Sequence, residues 1–498
     1  MKKISLITLL FLAFNFQSFA NNLIIGTPSV SGSTVTFTIK WDNSWSVTTG
    51  PSNWDAVWVF VKRQSCVSNA SSPWIHANLA TSGNSVTGGV LEVNQVSDNK
   101  GVFIKRSVAG IGNISLATVT LTLSSPIGSD NIGVYGMEMV NIPQGEFYIG
   151  DGTTQNYIHS FSDGASTAPK LITAAIQSAG LGAVSNYQRD NLGSTTDLPA
   201  AFPLGYNRFY CMKYEITAGQ YVAFLNTLSY NQQLRMQRDY QANTTPPESP
   251  VGTEFHCWPC YNNSARIVIA TPGNNTSQIK PAVYANDLNA NGVYNEDEDG
   301  LGLPVVMNAK NILAFLDWAA IRPMTEFEYE KACRGPLNPV MSEFSWGSTD
   351  FNNNYNVSNY GSASATNSVV SLGNTVLGTN RLYRVGMSAT ATSNRVIASA
   401  TYYGISDMTG NVWETCIGGW GVDFSDFTTQ NGDGNLYENG QSIENGSTDM
   451  ATWTPNRLIV KGGGANWVGT EWPAISARQW VQFNNYGHFQ GGRGVRSY

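Results

Sequence analysis

The feature that most constrains this chain is a period-two alternation of apolar and polar residues that fills its first quarter and then stops. Val35, Phe37, Ile39 and Trp41 alternate with Thr and Lys, and Val57, Val59 and Val61 repeat the pattern. Val119, Leu121 and Leu123 alternate with Thr118, Thr120 and Thr122. Such spacing puts every second side chain on one face of a strand. Turn clusters at Ser31-Gly32-Ser33 and Thr48-Thr49-Gly50-Pro51 separate the runs, so residues 21–135 are expected to form a β-sandwich. Trp41, Trp45, Trp54 and Trp58 are expected to fill its core rather than to line a carbohydrate platform.

Beyond Tyr135 the periodicity changes. Residues 136–150 read as strand, turn and strand, and amphipathic helices follow. Thr217 and Gln220 form a capping box that opens a helix with Tyr221, Phe224 and Leu225 on its buried face. Asn308 is the expected N-cap of a second helix, with Ile312, Phe315 and Leu316 inward. Thr325 and Glu328 make a second capping box.

The first residues read as an export signal. Lys2 and Lys3 precede an apolar run over 4–14, and Ser18 and Ala20 supply the small residues of a cleavage site. Residues 1–20 are therefore expected to be removed during export through the Sec route, leaving a periplasmic or extracellular protein. No later run has the length of a transmembrane segment. Only 13% of residues are charged and the net charge is −7, with no basic cluster to release counterions, so nucleic acid is not an expected partner.

Six cysteines, Cys66, Cys211, Cys257, Cys260, Cys333 and Cys416, leave their pairing open. Cys257-Trp-Pro-Cys260 has redox spacing but lacks the strand before and helix after that a redox dithiol needs. A structural bridge or another pairing is the expectation there.

Residues 287–298, Asp-Leu-Asn-Ala-Asn-Gly-Val-Tyr-Asn-Glu-Asp-Glu, follow the twelve-residue calcium loop of an EF-hand. Asp287, Asn289, Asn291, the Val293 carbonyl, Asn295 and Glu298 are the expected ligands, and Gly292 allows the sharp turn. The loop is an insertion between the first two expected helices.

Several segments in a fixed order resemble the formylglycine-generating-enzyme, or sulfatase-modifying-factor, family. They are Met139-Val-Asn-Ile-Pro-Gln-Gly-Glu-Phe, Tyr214-Glu-Ile-Thr-Ala-Gly-Gln-Tyr, Arg322-Pro-Met-Thr-Glu-Phe-Glu-Tyr, Asp407-Met-Thr-Gly-Asn-Val-Trp-Glu, Val460-Lys-Gly-Gly-Gly and Gly491-Gly-Arg-Gly-Val-Arg. The resemblance covers 136–498 and implies an α+β, C-type-lectin-like domain poor in regular secondary structure. It also implies a structural Ca²⁺ held by Asp407, the Gly410 and Val412 carbonyls and Glu414.

The family's oxidases use two cysteines and a copper ion just beyond the strand that here reads Lys461-Gly-Gly-Gly-Ala-Asn-Trp, yet no cysteine follows Cys416. Cu(I) needs soft thiolate ligands, so no copper is expected. The iron site of another branch needs three histidines, and His76, His159, His256 and His488 are scattered.

The expected function is that of a non-catalytic, calcium-stabilised scaffold for a protein or glycan ligand, with no catalytic residue to name. Its binding surface is expected at Trp413, Asn466, Trp467, Glu471, Trp472, Arg478, Trp480, Asn484, Asn485, Tyr486 and His488, residue types enriched at interfaces. The alternatives are an enzyme with other chemistry in the same pocket, and a component of a secretion or gliding apparatus.

Overall fold

The computed structural model describes residues 22–498 apart from 67–71, 155–159, 175–180, 184–200, 237–244, 257–265, 277–278, 369–372, 374–375, 391–392, 419–426, 438–449, 451–452, 454–457, 467–468, 470 and 481–489. The expected signal and the Cys257–Cys260 pair lie outside the described residues.

Two sheets form the N-terminal sandwich. The first pairs Ile24–Ile25, Thr34–Ser46, Gly110–Thr122 and Ser85–Val86, with Ser29–Ser31 beside Thr34–Ser46. Its alternation places Val35, Phe37, Ile39 and Trp41 inward against Val57, Val59 and Val61 of the strand Asp55–Gln64. That strand belongs to the second sheet, whose order is Arg322–Pro323, Gly494–Ser497, Phe209–Met212, Asn131–Ile142, Asp55–Gln64, Val102–Arg106 and Leu91–Gln95. All these pairs are antiparallel.

The second sheet crosses the expected boundary at 135. Asn131–Ile142 is an unbroken strand through that point, pairing with Asp55–Gln64 along ten residue pairs and then with Phe209–Met212. One sheet therefore carries strands from both ends of the chain. Its first face closes the sandwich. Its second face, with Trp58, Phe60, Phe103, Tyr135 and Met137, packs against helices α1 (Ala218–Leu225) and α3 (Ala309–Trp318). Val57 and Trp58 thus point into different cores, and both are buried.

Trp58 donates its Nε1–H to the Ala319 carbonyl at 2.9 Å, and Phe60 and Tyr135 meet the Trp318 ring edge-on at 5.1 and 5.0 Å. Trp41 and Trp58 are fully buried, and Trp54 donates to Tyr210 Oη. Trp41 and Trp58 are core, whereas Trp45 and Trp54 are partly buried and pack at the edges of the clusters.

The expected helices form as their caps dictate. The Thr217–Gln220 and Thr325–Glu328 capping boxes and the Asn308 cap are all present. Sequence reading missed a short helix, α2 (Tyr230–Arg235), which has its own capping box at Ser229 and Gln232. α4 (Glu326–Arg334) buries every residue, including Glu326, Glu328, Glu330, Lys331 and Arg334. The three carboxylates survive burial because each has a cation: Arg322 on Glu328, Arg334 and Lys461 on Glu330, Arg478 on Glu326.

Candidate functional site

The Trp413–Ile417 strand pairs antiparallel with Leu458–Lys461 and parallel with Gln490–Gly491, so Asp407–Glu414 and Gly462–Gly464 lie side by side. Gly410 donates to the Gly462 carbonyl at 2.8 Å, and Ala465 donates to the Asn411 carbonyl at 2.9 Å.

The glycine run is tightly enclosed. A Cβ on Gly462 would fall 2.4 Å from the Met408 carbonyl oxygen, and one on Gly464 would fall 2.6 Å from Trp413 Cδ1. Trp413 itself is buried and donates Nε1–H to Asn466 Oδ1 at 3.3 Å. The indole therefore fills the space a side chain at 464 would need.

Beneath Lys461–Gly464 lies an apolar cluster with Tyr329, Met408, Cys211, Cys333 and Cys416. The three thiols are free and buried. Burial pushes Cys333 up to about 12 and lifts Cys211 and Cys416 as well, so all three stay protonated thiols at neutral pH.

Beside the glycine run sits a group of buried acids. Glu414 Oε1 accepts from Arg493 Nε at 2.6 Å, while its Oε2 has no hydrogen-bond partner. Asp407 Oδ2 accepts the Gly386 N–H at 2.6 Å. Glu215, missed in the sequence, accepts from Val412 N at 2.9 Å and Asn411 Nδ2 at 2.8 Å, and so orients the 411–412 peptide. It stands within Tyr214-Glu-Ile-Thr, which could have flagged it.

Burial raises the pKa of all three carboxyls, and Asp407 repels both Glu215 and Glu414. Arg493 and Arg384 are the cations that oppose them. Negative charge is in excess, and an oxygen of Glu414 is unsatisfied. Arg493 holds the other oxygen of Glu414 and the Gly386 N–H holds one of Asp407, and among the described residues no three His, Cys, Asp or Glu side chains form a ready metal cage here.

The 287–299 loop departs from the expected ligand set. Asp287 is buried, with Oδ2 on Arg266 Nη1 at 2.6 Å and Oδ1 unpartnered. Glu298, the expected closing ligand, is exposed. Asp299 turns inward instead: it is fully buried, its Oδ2 accepts the Glu296 N–H at 2.9 Å, and its Oδ1 is unpartnered. Burial first and the Asp287 charge second raise its pKa.

Asn295 Oδ1 is engaged by the Asn286 N–H, and Asn289 and Asn291 cap the N–H groups of Asn291 and Val293. Among the described residues no three His, Cys, Asp or Glu side chains form a ready metal cage. Any shell here must draw on Asn and carbonyl oxygens.

The expected binding surface is partly dismantled. Arg478 is buried, donating Nη2–H to Glu326 Oε1 at 3.0 Å and lying 4.2 Å from the Phe161 ring centre. Like Trp413 it belongs to the interior. Asn466, Glu471 and Trp472 are partly exposed. Trp480 lies in the strand Gln479–Trp480, and Trp467, Asn484, Asn485, Tyr486 and His488 fall outside the described residues.

Among solved structures, the chain is similar to that of PvdO from Pseudomonas aeruginosa at 14% identity, covering 73% of this chain and 95% of that one, with a TM-score of 0.34. It is also similar to the Major Tropism Determinant U1 variant at 10% identity, covering 94% of this chain and 82% of that one, with a TM-score of 0.24. These scores are too low to carry an argument. Among curated proteins none matches. Residues 133–498 match the family described as Sulfatase-modifying factor enzyme 1-like domain, and they take the β-rich, helix-poor form described above. The chain belongs to that family.

Proposed function

We propose that this protein is an exported, non-catalytic member of the family, a calcium-stabilised scaffold that presents a surface to a protein or glycan ligand. The observation that carries the reading is Gly464 beneath Trp413. An indole stands where a 464 side chain would project, and the nearby thiols are buried and protonated. A soft copper ion would find no thiolate on this surface. The partly exposed rim beside it, Asn466, Glu471 and Trp472, combines aromatic area with hydrogen-bonding groups.

Calcium would serve as a structural ion that offsets buried negative charge. Asp407 and Glu414 would hold one ion, and Asp287 and Asp299 another. The sequence-level export signal and the absence of any described helix long and apolar enough to cross a membrane accord with work outside the inner membrane.

The test is an aerobic assay of the purified chain, with and without copper, on a cysteine peptide carrying a sulfatase modification motif. No formylglycine is expected, and turnover would overturn the non-catalytic reading. Calcorimetric titration of chelator-stripped protein with Ca²⁺ tests the ion, and absence of binding heat would remove it.

A further inference from the structure

Three ionisable side chains meet inside the shared sheet, away from the family site. Asp55 opens the Asp55–Gln64 strand, Glu138 lies in the adjacent Asn131–Ile142 strand, and Lys213 directly follows Phe209–Met212 on the far side. The strand register fixes them together, since Val140 pairs with Asp55 and the Lys213 N–H donates to the Glu138 carbonyl at 2.9 Å. All three are buried. Lys213 Nζ is 3.4 Å from Glu138 Oε2 and 3.7 Å from Asp55 Oδ2. Trp45 and Tyr214 flank the amine, with ring centres 4.8 and 5.4 Å away.

The two carboxyls are set up differently. Asp55 Oδ1 accepts from Ser44 Oγ at 2.8 Å and from the Trp45 N–H at 2.9 Å, and its Oδ2 accepts from Trp41 Nε1 at 3.1 Å. Fixed donors on Oδ1 are the arrangement that stabilises negative charge on a carbonyl oxygen under attack. Glu138 has no hydrogen bond of good geometry on either oxygen, and burial first of all pushes its pKa up to about 8. It can therefore carry a proton.

We infer that Lys213 and Asp55 form an intramolecular isopeptide bond, with Glu138 as the proton carrier. Lys213 Nζ attacks Asp55 Cγ, a C–N bond forms, the Cγ–Oδ2 bond breaks, and Oδ2 leaves as water. Nothing is oxidised or reduced. Lys213 rests as an ammonium, because the neighbouring carboxylates hold its pKa above the usual range. Passing that proton to Glu138 is uphill from the resting ion pair, and burial lessens the cost because the amine and the acid are both neutral afterwards. Glu138 then delivers that proton to Oδ2 and relays a second one from the attacking Nζ, so that Oδ2 departs with two protons as water, the nitrogen keeps one as the amide N–H, and Glu138 ends as a carboxylate. Atoms held this close, with bulk water excluded, need no external enzyme.

The bond would tie the first strand of the sandwich's second sheet to the strand segment beyond Asn131–Ile142. It would lock the N-terminal sandwich to the family domain covalently, which suits a protein working outside the cell.

The experiment is intact-mass and peptide-mapping mass spectrometry of the full chain after thiol reduction. The expected result is a mass one water below that of the processed sequence, and a branched peptide joining Lys213 to Asp55. Glu138→Ala, checked for folding by circular dichroism, should return the lost water. Linear peptides containing Asp55 and Lys213 at unmodified mass in the wild-type protein would overturn the proposal. A branch at Glu138 instead of Asp55 would overturn the assigned roles.

Discussion

Glu414 and Arg493 form an ion pair with no solvent exposure on either partner, Nε to Oε1 at 2.6 Å, although 79 residues separate them in the chain. Arg493 also donates to the Met212 and Lys213 carbonyls, so one guanidinium ties three segments together. Arg493→Met would leave Glu414, Asp407 and Glu215 without that counter-charge. The expected loss is about 3–5 kcal/mol, the usual consequence of breaking a buried pair. Urea unfolding followed by tryptophan fluorescence measures it, and a loss below about 1 kcal/mol would show that the pair is not needed.

The loop that resembles an EF-hand separates two assignments. Asp299 is buried with one oxygen lacking a hydrogen bond and feels the Asp287 charge, whereas Glu298 is exposed. Asp299→Asn and Asp287→Asn should each weaken Ca²⁺ binding, and Glu298→Gln should leave it nearly unchanged. Titration calorimetry of the three variants decides. Equal losses for Glu298→Gln and Asp299→Asn would favour the ligand order expected from the sequence.

Gly464→Ala should destabilise the fold by about 1–3 kcal/mol, the range for overpacking a filled site. The new Cβ would lie 2.6 Å from the Trp413 ring. Trp413→Phe in the same chain should recover part of the loss by vacating space, which a double-mutant cycle reads directly.

Arg478→Ala should act on stability rather than on ligand binding, because the change strands Glu326 in the interior. Trp472→Ala, on the partly exposed rim, should leave the unfolding free energy within about 1 kcal/mol of wild type. A midpoint unaffected by Arg478→Ala would return that residue to the surface.

Lys331 gives a pH signature. Burial lowers its ammonium to about 7, although its Nζ reaches the Gly205 and Tyr206 carbonyls. An unfolded lysine keeps its proton to about pH 10.4. Between these values the unfolded chain binds more protons than the folded one, so this group's contribution rises with pH and is lost as pH falls towards 7. Lys331→Met should therefore remove an upward slope from the stability curve between about pH 7 and 10. Urea midpoints of both proteins at the two ends of that window test the sign.

Local signals were legible where the chemistry is local. The capping boxes at Thr217 and Thr325 each need one hydroxyl and one carboxyl or amide three residues on, so the sequence announced both helix starts. The inward face of Thr34–Ser46 followed from its alternation. The α4 charges were opaque: Glu326 and Glu330 look like a solvated face until Arg478 and Lys461 arrive from more than 100 residues away. Arg478 and Trp413 were misplaced on the surface for the same reason, since nothing nearby in the chain tells whether a large polar or aromatic side chain has a buried partner.

By itself the sequence determined the β-rich N-terminal strands and the capped helices, which rest on periodicity and short-range hydrogen bonds, the family resemblance of residues 136–498, which rests on short motifs in a fixed order, and the absence of any cysteine after Cys416. The tertiary structure decided that one sheet runs through residue 135, that Glu215 and Arg493 join Glu414, that Asp299 rather than Glu298 is buried, and that Asp55, Glu138 and Lys213 share one dry site. The physical reason is that electrostatics and packing act through space, and strand pairing sets which distant residues become neighbours.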